Sequence, residues 1–163
     1  GMAFGTGTHE TTAMCLSLLE DFIKSGDRVL DVGCGSGILS IAALRLGAAE
    51  ADAADIDPLA VKIARDNGAR NGYGAEKLHV QAGSLTETAR GRYHCIVSNI
   101  IADVIIALCG EVEDFLEKGG VWLCSGIIAD READVLAAFA QYGFSVLRRE
   151  QQKEWLAFAV AGE

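Results

Sequence analysis

The chain has 163 residues, half of them apolar, and a formal net charge of −9. That length suits one domain, and no apolar run reaches the ~18 residues that a membrane-spanning helix needs. So acidic a chain is a poor nonspecific binder of nucleic acid; its charge serves solubility or draws a basic protein partner. Five cysteines without a C-x-x-C pair point to a reducing, cytoplasmic setting rather than a disulfide framework. No secretory signal pattern is read at the start. His9, His79 and His94 stand at no zinc spacing, so no metal site is expected.

Gly1 to His9 is rich in glycine and threonine and reads as a loop. A helix from about Glu10 to Lys24 follows, with Cys15, Leu18, Leu19 and Phe22 on one apolar face. Arg28 to Val32 reads as a buried strand and Ile38 to Leu46 as a helix. Ala51 to Asp55 is the second strand. Pro58 sits in the first turn of a helix that runs to about Asn71. Leu78 to Ala82 and Tyr93 to Ser98 are strands, the latter ending at Asn99. A helix from about Ala102 to Leu116 leads through a turn at Gly119-Gly120 to the strand Val121 to Ser125. Ala129 to Tyr142 is the last helix. Phe144 to Arg149 and Trp155 to Val160 close the chain as a hairpin around a polar loop, Glu150 to Glu154. Such alternation predicts an α/β fold: a mostly parallel seven-stranded sheet, helices on both faces, and a C-terminal antiparallel hairpin.

The strongest motif is Asp31-Val-Gly-Cys-Gly-Ser-Gly37, a strand-to-helix turn. Glycines there let a ligand approach the backbone, and the helix behind presents free N–H groups to it. The dinucleotide fingerprint G-x-G-x-x-G would put its third glycine at Ile38. Here it falls at Gly37, and an acid, Asp31, precedes the first. A second acid, Asp55, ends the next strand. A glycine-rich turn without a ligand remains the bland alternative, and the acid-ended strand argues against it. Ligands of open α/β sheets bind at the carboxyl ends of strands, where Gly33, Asp55, Ser84 and Asn99 are expected.

The Asp-x-Gly-x-Gly-x-Gly pattern resembles motif I of the class I S-adenosylmethionine-dependent methyltransferases, whose fold is Rossmann-like. With Ala3-Phe-Gly-Thr-Gly-Thr-His-Glu-Thr-Thr12, Asp55-Ile-Asp-Pro58, Ser98-Asn-Ile-Ile-Ala102, Ser125-Gly-Ile-Ile128 and Glu154-Trp155, the whole chain resembles the catalytic domain of the ribosomal protein L11 methyltransferases (PrmA). Glu10 stands where many members have proline.

The resemblance implies a cofactor, S-adenosyl-L-methionine, with contacts from Phe4, Gly5, Thr6, Thr12, Asp31, Gly33, Gly35, Gly37, Asp55, Ile56, Ser84 and Asn99. Thr12 would meet the methionine moiety, Asp55 the ribose hydroxyls and Ser84 the adenine. Asn99 and the Ile100 carbonyl would hold the amine to be methylated. The bland readings stay beside these: Thr8 or His9 can cap the first helix, and asparagine often ends a strand. The implied activity is methyl transfer to lysine ε-amines and an N-terminal α-amine of a basic large-subunit ribosomal protein. Nucleic acid and membranes are not expected as partners, and a monomer is. Residues 1–163 would be the catalytic domain, without the family's N-terminal recognition domain. Methylation of another protein nitrogen or a small molecule, or cofactor binding without catalysis, are the alternatives.

Overall fold

The protein is described from a computed structural model covering residues 9–162. Helix α1 (His9–Phe22) leads to β1 (Arg28–Val32), α2 (Ile38–Arg45), β2 (Glu50–Asp55) and α3 (Pro58–Arg70). Then come β3 (Leu78–Ala82), a short α4 (Leu85–Thr88), β4 (Tyr93–Asn99) and α5 (Ala102–Val112). The chain closes with β5 (Leu116–Ile128), α6 (Glu132–Gln141), β6 (Ser145–Gln152) and β7 (Trp155–Ala161).

The seven strands form one sheet in the order β3-β2-β1-β4-β5-β7-β6. The first five are parallel; β7 runs antiparallel between β5 and β6. Helices cover both faces. One core joins α1, α2 and α3 to Val29, Ala51, Ala53, Val80, Cys95, Val97 and Leu123. The other joins α5 and α6 to Leu30, Ile96, Trp122, Cys124 and Phe158. Adjacent strand residues alternate between the two, as period-2 geometry demands. Trp122 is fully buried, edge-on to Phe139, and its indole N–H donates to Ser98 Oγ at 3.1 Å. Among the described residues no helix is long and apolar enough to cross a membrane.

Three expectations are corrected. The helix after Ala102 stops at Val112, and a 3-10 turn (Glu113–Phe115) delivers Leu116 to β5. Leu116 pairs with Tyr93 in the sheet, so tertiary pairing overrides its helical propensity. Gly119-Gly120 lies within β5, where residues 117–120 bulge out between two paired positions. The hairpin turn is only Lys153-Glu154, because Gln152 pairs with Trp155.

The sheet's edges are both guarded. On β3 the Arg65 guanidinium donates to Val80 O at 2.6 Å. Edge strand β6 slips register between Val146 and Arg148, and its arginines face acids: Arg148 bonds Asp21, and Arg149 grips Glu132 at 2.6 and 2.9 Å.

Candidate active site

At the end of β1 the chain turns through Gly33 to Gly37 into α2. The Gly33 and Cys34 N–H groups donate to Ala54 O at 2.8 and 2.9 Å, stitching the turn to β2. Gly33 has φ +74°, and a Cβ there would stand 2.7 Å from Ile100 Cγ2. Glycine is thus required twice, by conformation and by space. Gly37 caps α2 against Ala64.

Asp55, the last residue of β2, is held by backbone. Its Oδ2 accepts from Gly35 N–H at 3.0 Å and its Oδ1 from Asp57 N–H at 2.9 Å. Two donors keep the carboxylate oriented, and each oxygen retains a lone pair for a further partner. Asp57 in turn caps α3, accepting from Leu59 N–H at 2.9 Å.

These groups border a cavity of about 410 Å³ at the carboxyl ends of the strands. It is lined by Gly33, Asp55, Ile56, Ser84, Ile100 and Val104, among others. That volume lies within the roughly 300–1,000 Å³ usual for small-molecule sites. The cavity lies where β1 and β4 diverge in connection, the switch point at which open α/β sheets take ligands. Ile56, at its lip, is 83% exposed, apolar surface left bare beside a carboxylate. Ser84 begins α4, and its N–H donates to Glu87 Oε1 at 2.9 Å.

Asn99 ends β4 next to Ile100 and is only 2% exposed. Neither its Oδ1 nor its Nδ2 has a hydrogen-bond partner among the described residues. A buried amide so left costs about 1–3 kcal/mol per unmet group, a burden retained where a ligand can meet it. Asp31 is likewise buried; Ser40 Oγ donates to its Oδ2 at 2.7 Å while Oδ1 has no partner among the described residues. Burial pushes its carboxyl up to about 7.

Of the residues singled out in the sequence, Gly33, Asp55, Ile56, Ser84 and Ile100 meet on the cavity wall. Asn99 adjoins it through Ile100. Gly35 reaches it only through Asp55. Asp31 and Gly37 pack behind the turn, and Thr12 lies in the first turns of α1. Phe4, Gly5 and Thr6 lie outside the described residues.

A family model described as ribosomal protein L11 methyltransferase (PrmA) matches residues 1–162. The chain belongs to this family. A ribosomal protein L11 methyltransferase of Pelotomaculum thermopropionicum is 48% identical over 159 residues, covering 98% of this chain and 51% of the relative. One from Caldanaerobacter subterraneus subsp. tengcongensis is 50% identical over 157 residues, covering 96% and 50%. The chain spans about half the length of the curated relatives it matches. The crystal structure of a ribosomal protein L11 methylase from Lactobacillus delbrueckii subsp. bulgaricus superposes with a TM-score of 0.92 at 30% identity, covering 96% of this chain and 80% of that one. The fold extends further: a precorrin-6y C5,15-methyltransferase from Geobacter metallireducens matches all of this chain at TM-score 0.76 and 15% identity, covering 93% of its own length.

Two features of this PrmA-family domain were not assigned from sequence. Gly126 carries φ +87° and packs against Asn99 and Ile100. A glycine inside a strand pattern is the signal for such a close approach. At the opposite end of the sheet, Glu50, Asp52 and His79 bring ligand-type atoms within 4.8 Å of one another. The Arg90 guanidinium fills that space, 3.0 Å from Glu50 Oε1 and 2.7 Å from Asp52 Oδ1. Burial alone would raise the Asp52 carboxyl, but hydrogen bonds from Arg90, Tyr93 and His79 outweigh it and hold it below its ordinary value. The cluster ties β2, β3 and β4 together.

Proposed function

We propose that the cavity binds S-adenosylmethionine and that this domain directs its methyl group onto amino nitrogens of a basic large-subunit ribosomal protein. The observation that carries the reading is the buried Asn99 amide, without a partner among the described residues, beside a cavity that ends in an oriented Asp55 carboxylate. The residues fit the cofactor: Asp55 offers two charged acceptors for a pair of ribose hydroxyls, Gly33 lines the cavity without a side chain of its own, and Ile56 offers an apolar face for a base.

The cofactor supplies a methyl group already activated by a sulfonium. The chain's residues must then position a nucleophile, which is where enzymes recover most in such displacements. A lysine amine has an ordinary pKa of ~10.4 and is protonated at neutral pH. Transfer into a buried site disfavours its charged form. Asn99 Oδ1 and the Ile100 carbonyl then accept the amine's N–H groups and leave its lone pair aimed along the transfer axis. Both acceptors are neutral, so the free amine is held without being recharged. The net charge of −9 adds salt-sensitive attraction for a basic partner. In this reading residues 1–163 act as one catalytic domain, as a monomer.

The test is calorimetry with S-adenosylhomocysteine and with NAD, followed by radiolabelled methyl transfer to purified ribosomal protein L11. Binding of S-adenosylhomocysteine alone, with label on the protein, is expected. Binding of NAD in its place would refute the cofactor. Tight S-adenosylhomocysteine binding without transfer to any protein would make this a binding module.

A further inference from the structure

Strand β5 carries one residue too many beside the candidate site. Against β7, Cys124 pairs with Phe158 and Ile127 with Leu156, so Ser125 and Gly126 together face Ala157. This is a β-bulge, a device that re-aims backbone next to active sites. On its other side β5 keeps register with β4 up to Asn99↔Ser125, and Ile100 N–H donates to Ser125 O at 3.1 Å. Ser125 Oγ donates to Thr11 O at 2.8 Å, which pins the bulge to α1.

We infer that Gly126 is a positioning residue for methyl transfer: its bare backbone sets where the Asn99 amide and the Ile100 carbonyl stand. The inference rests on the reading of Asn99 and Ile100 as the acceptor pair. A Cβ at Gly126 would lie 2.8 Å from Ile100 O, 2.9 Å from Asn99 Oδ1 and 3.1 Å from Ile100 N. The first two atoms are the proposed acceptor pair itself, and the third is the backbone nitrogen that joins them. Nor can Ile100 yield in the other direction. Its Cγ2 already fills the space that a Cβ on Gly33 would need, at 2.7 Å. The Asn99–Ile100 segment is gripped between two glycine backbones, Gly33 on the cavity side and Gly126 on the bulge side. Any side chain at 126 must therefore turn the Asn99 amide or shift the 99–100 peptide. Misplacement of about 1 Å costs on the order of a hundredfold in rate where catalysis is positional.

A competing account is that Gly126 serves only its left-handed backbone. Gly119 separates the two. It lies in the same strand with φ +80°, and a Cβ there would meet nothing within 4 Å among the described residues. Gly119→Ala thus carries the same conformational penalty without the contact.

The experiment measures, for wild type, Gly126→Ala and Gly119→Ala, kcat and KM for methylation of ribosomal protein L11, S-adenosylhomocysteine affinity, and the NMR resonances of the Asn99 side-chain amide, assigned by their loss in Asn99→Ala. Gly126→Ala should lower kcat about a hundredfold, keep cofactor affinity within threefold and move the Asn99 resonances. Gly119→Ala should change none of the three. If Gly126→Ala fails to fold, Ser125→Ala stands in for it by releasing the Thr11 tie; about tenfold lower kcat at unchanged cofactor affinity then supports the inference, and wild-type kcat overturns it. A Gly126→Ala protein with kcat close to that of Gly119→Ala, or with cofactor affinity falling in parallel with kcat, overturns the inference alone. A wild-type protein that binds S-adenosylhomocysteine but methylates nothing overturns the acceptor-pair reading and this inference with it.

Discussion

Replacing Asp55 with asparagine keeps shape and removes charge, and the structure says what that should cost. The carboxylate now receives Gly35 N–H on one oxygen and Asp57 N–H on the other. An amide offers one oxygen only, so its NH₂ must oppose one of those donors. Leaving a partly solvated N–H unmet costs about 1–2 kcal/mol, which lowers Tm by roughly 2–8 °C in a domain of this size. For the ligand, a hydroxyl donating to a carboxylate gains about 1.5–3 kcal/mol, against 0.5–1.5 for a neutral acceptor. The difference, about 1–2 kcal/mol over the two hydroxyls, is a factor of roughly 5–30 in Kd. Calorimetric titration with S-adenosylhomocysteine, with a melt of the same sample, measures both. Affinity within threefold of wild type at a lowered Tm would refute the ribose assignment while leaving the backbone account standing.

Three further substitutions have expected outcomes. Asn99→Ala should lower kcat on ribosomal protein L11 strongly and leave S-adenosylhomocysteine affinity within about threefold, because the lost contact is made to the reacting amine. Since the Asn99 amide is unpartnered among the described residues, the same variant should melt no lower than wild type, as thermal denaturation will check. The Asp31 carboxyl is raised to about 7 in the folded chain, so between about pH 4 and 7 the folded state holds a proton that the unfolded state has released. Stability of the ligand-free protein should therefore fall as pH rises through that window, and Asp31→Asn should flatten the slope in denaturant titrations; an unchanged slope would assign it elsewhere. Tyr93→Phe removes a buried hydroxyl that donates to Asp52 and accepts from Arg90 N–H at 2.8 Å, and should cost about 1–2 kcal/mol by urea unfolding with cofactor affinity untouched.

The parallel sheet was legible because its punctuation is local. Pro58 behind a capping Asp57, and Gly26, Gly47 and Gly72 past helix ends, mark boundaries without reference to the rest of the fold. What escaped depends on partners distant in sequence. Leu116 continues a helical apolar pattern until Tyr93 claims it for the sheet. Gln151 and Gln152 look like loop because β6 is an exposed edge with no buried face to impose alternation. The four residues of α4 are too few to show a period. In the site, Gly33, Asp55 and Ile100 follow from motif order, since consecutive strand ends of a parallel sheet converge. Gly126 does not: its reason lies in Asn99 and Ile100, on another strand. The Asp52 cluster was hidden too, since Asp52 and His79 become neighbours only through the β2–β3 register.

The two guarded sheet edges also decide how this chain behaves in a crowd. An open sheet can in principle grow without limit, each outer strand templating the next copy. Here the outward Val80 carbonyl is already spoken for by Arg65, and the slipped register of β6 leaves an incoming strand no continuous ladder to read. Val146 and Leu147, exposed on that strand, would otherwise be an adhesive stretch; Arg148 and Arg149 directly follow them and carry charge to the rim. The sheet is in effect self-terminating, so concentrated solutions should thicken through charge repulsion rather than polymerise through backbone.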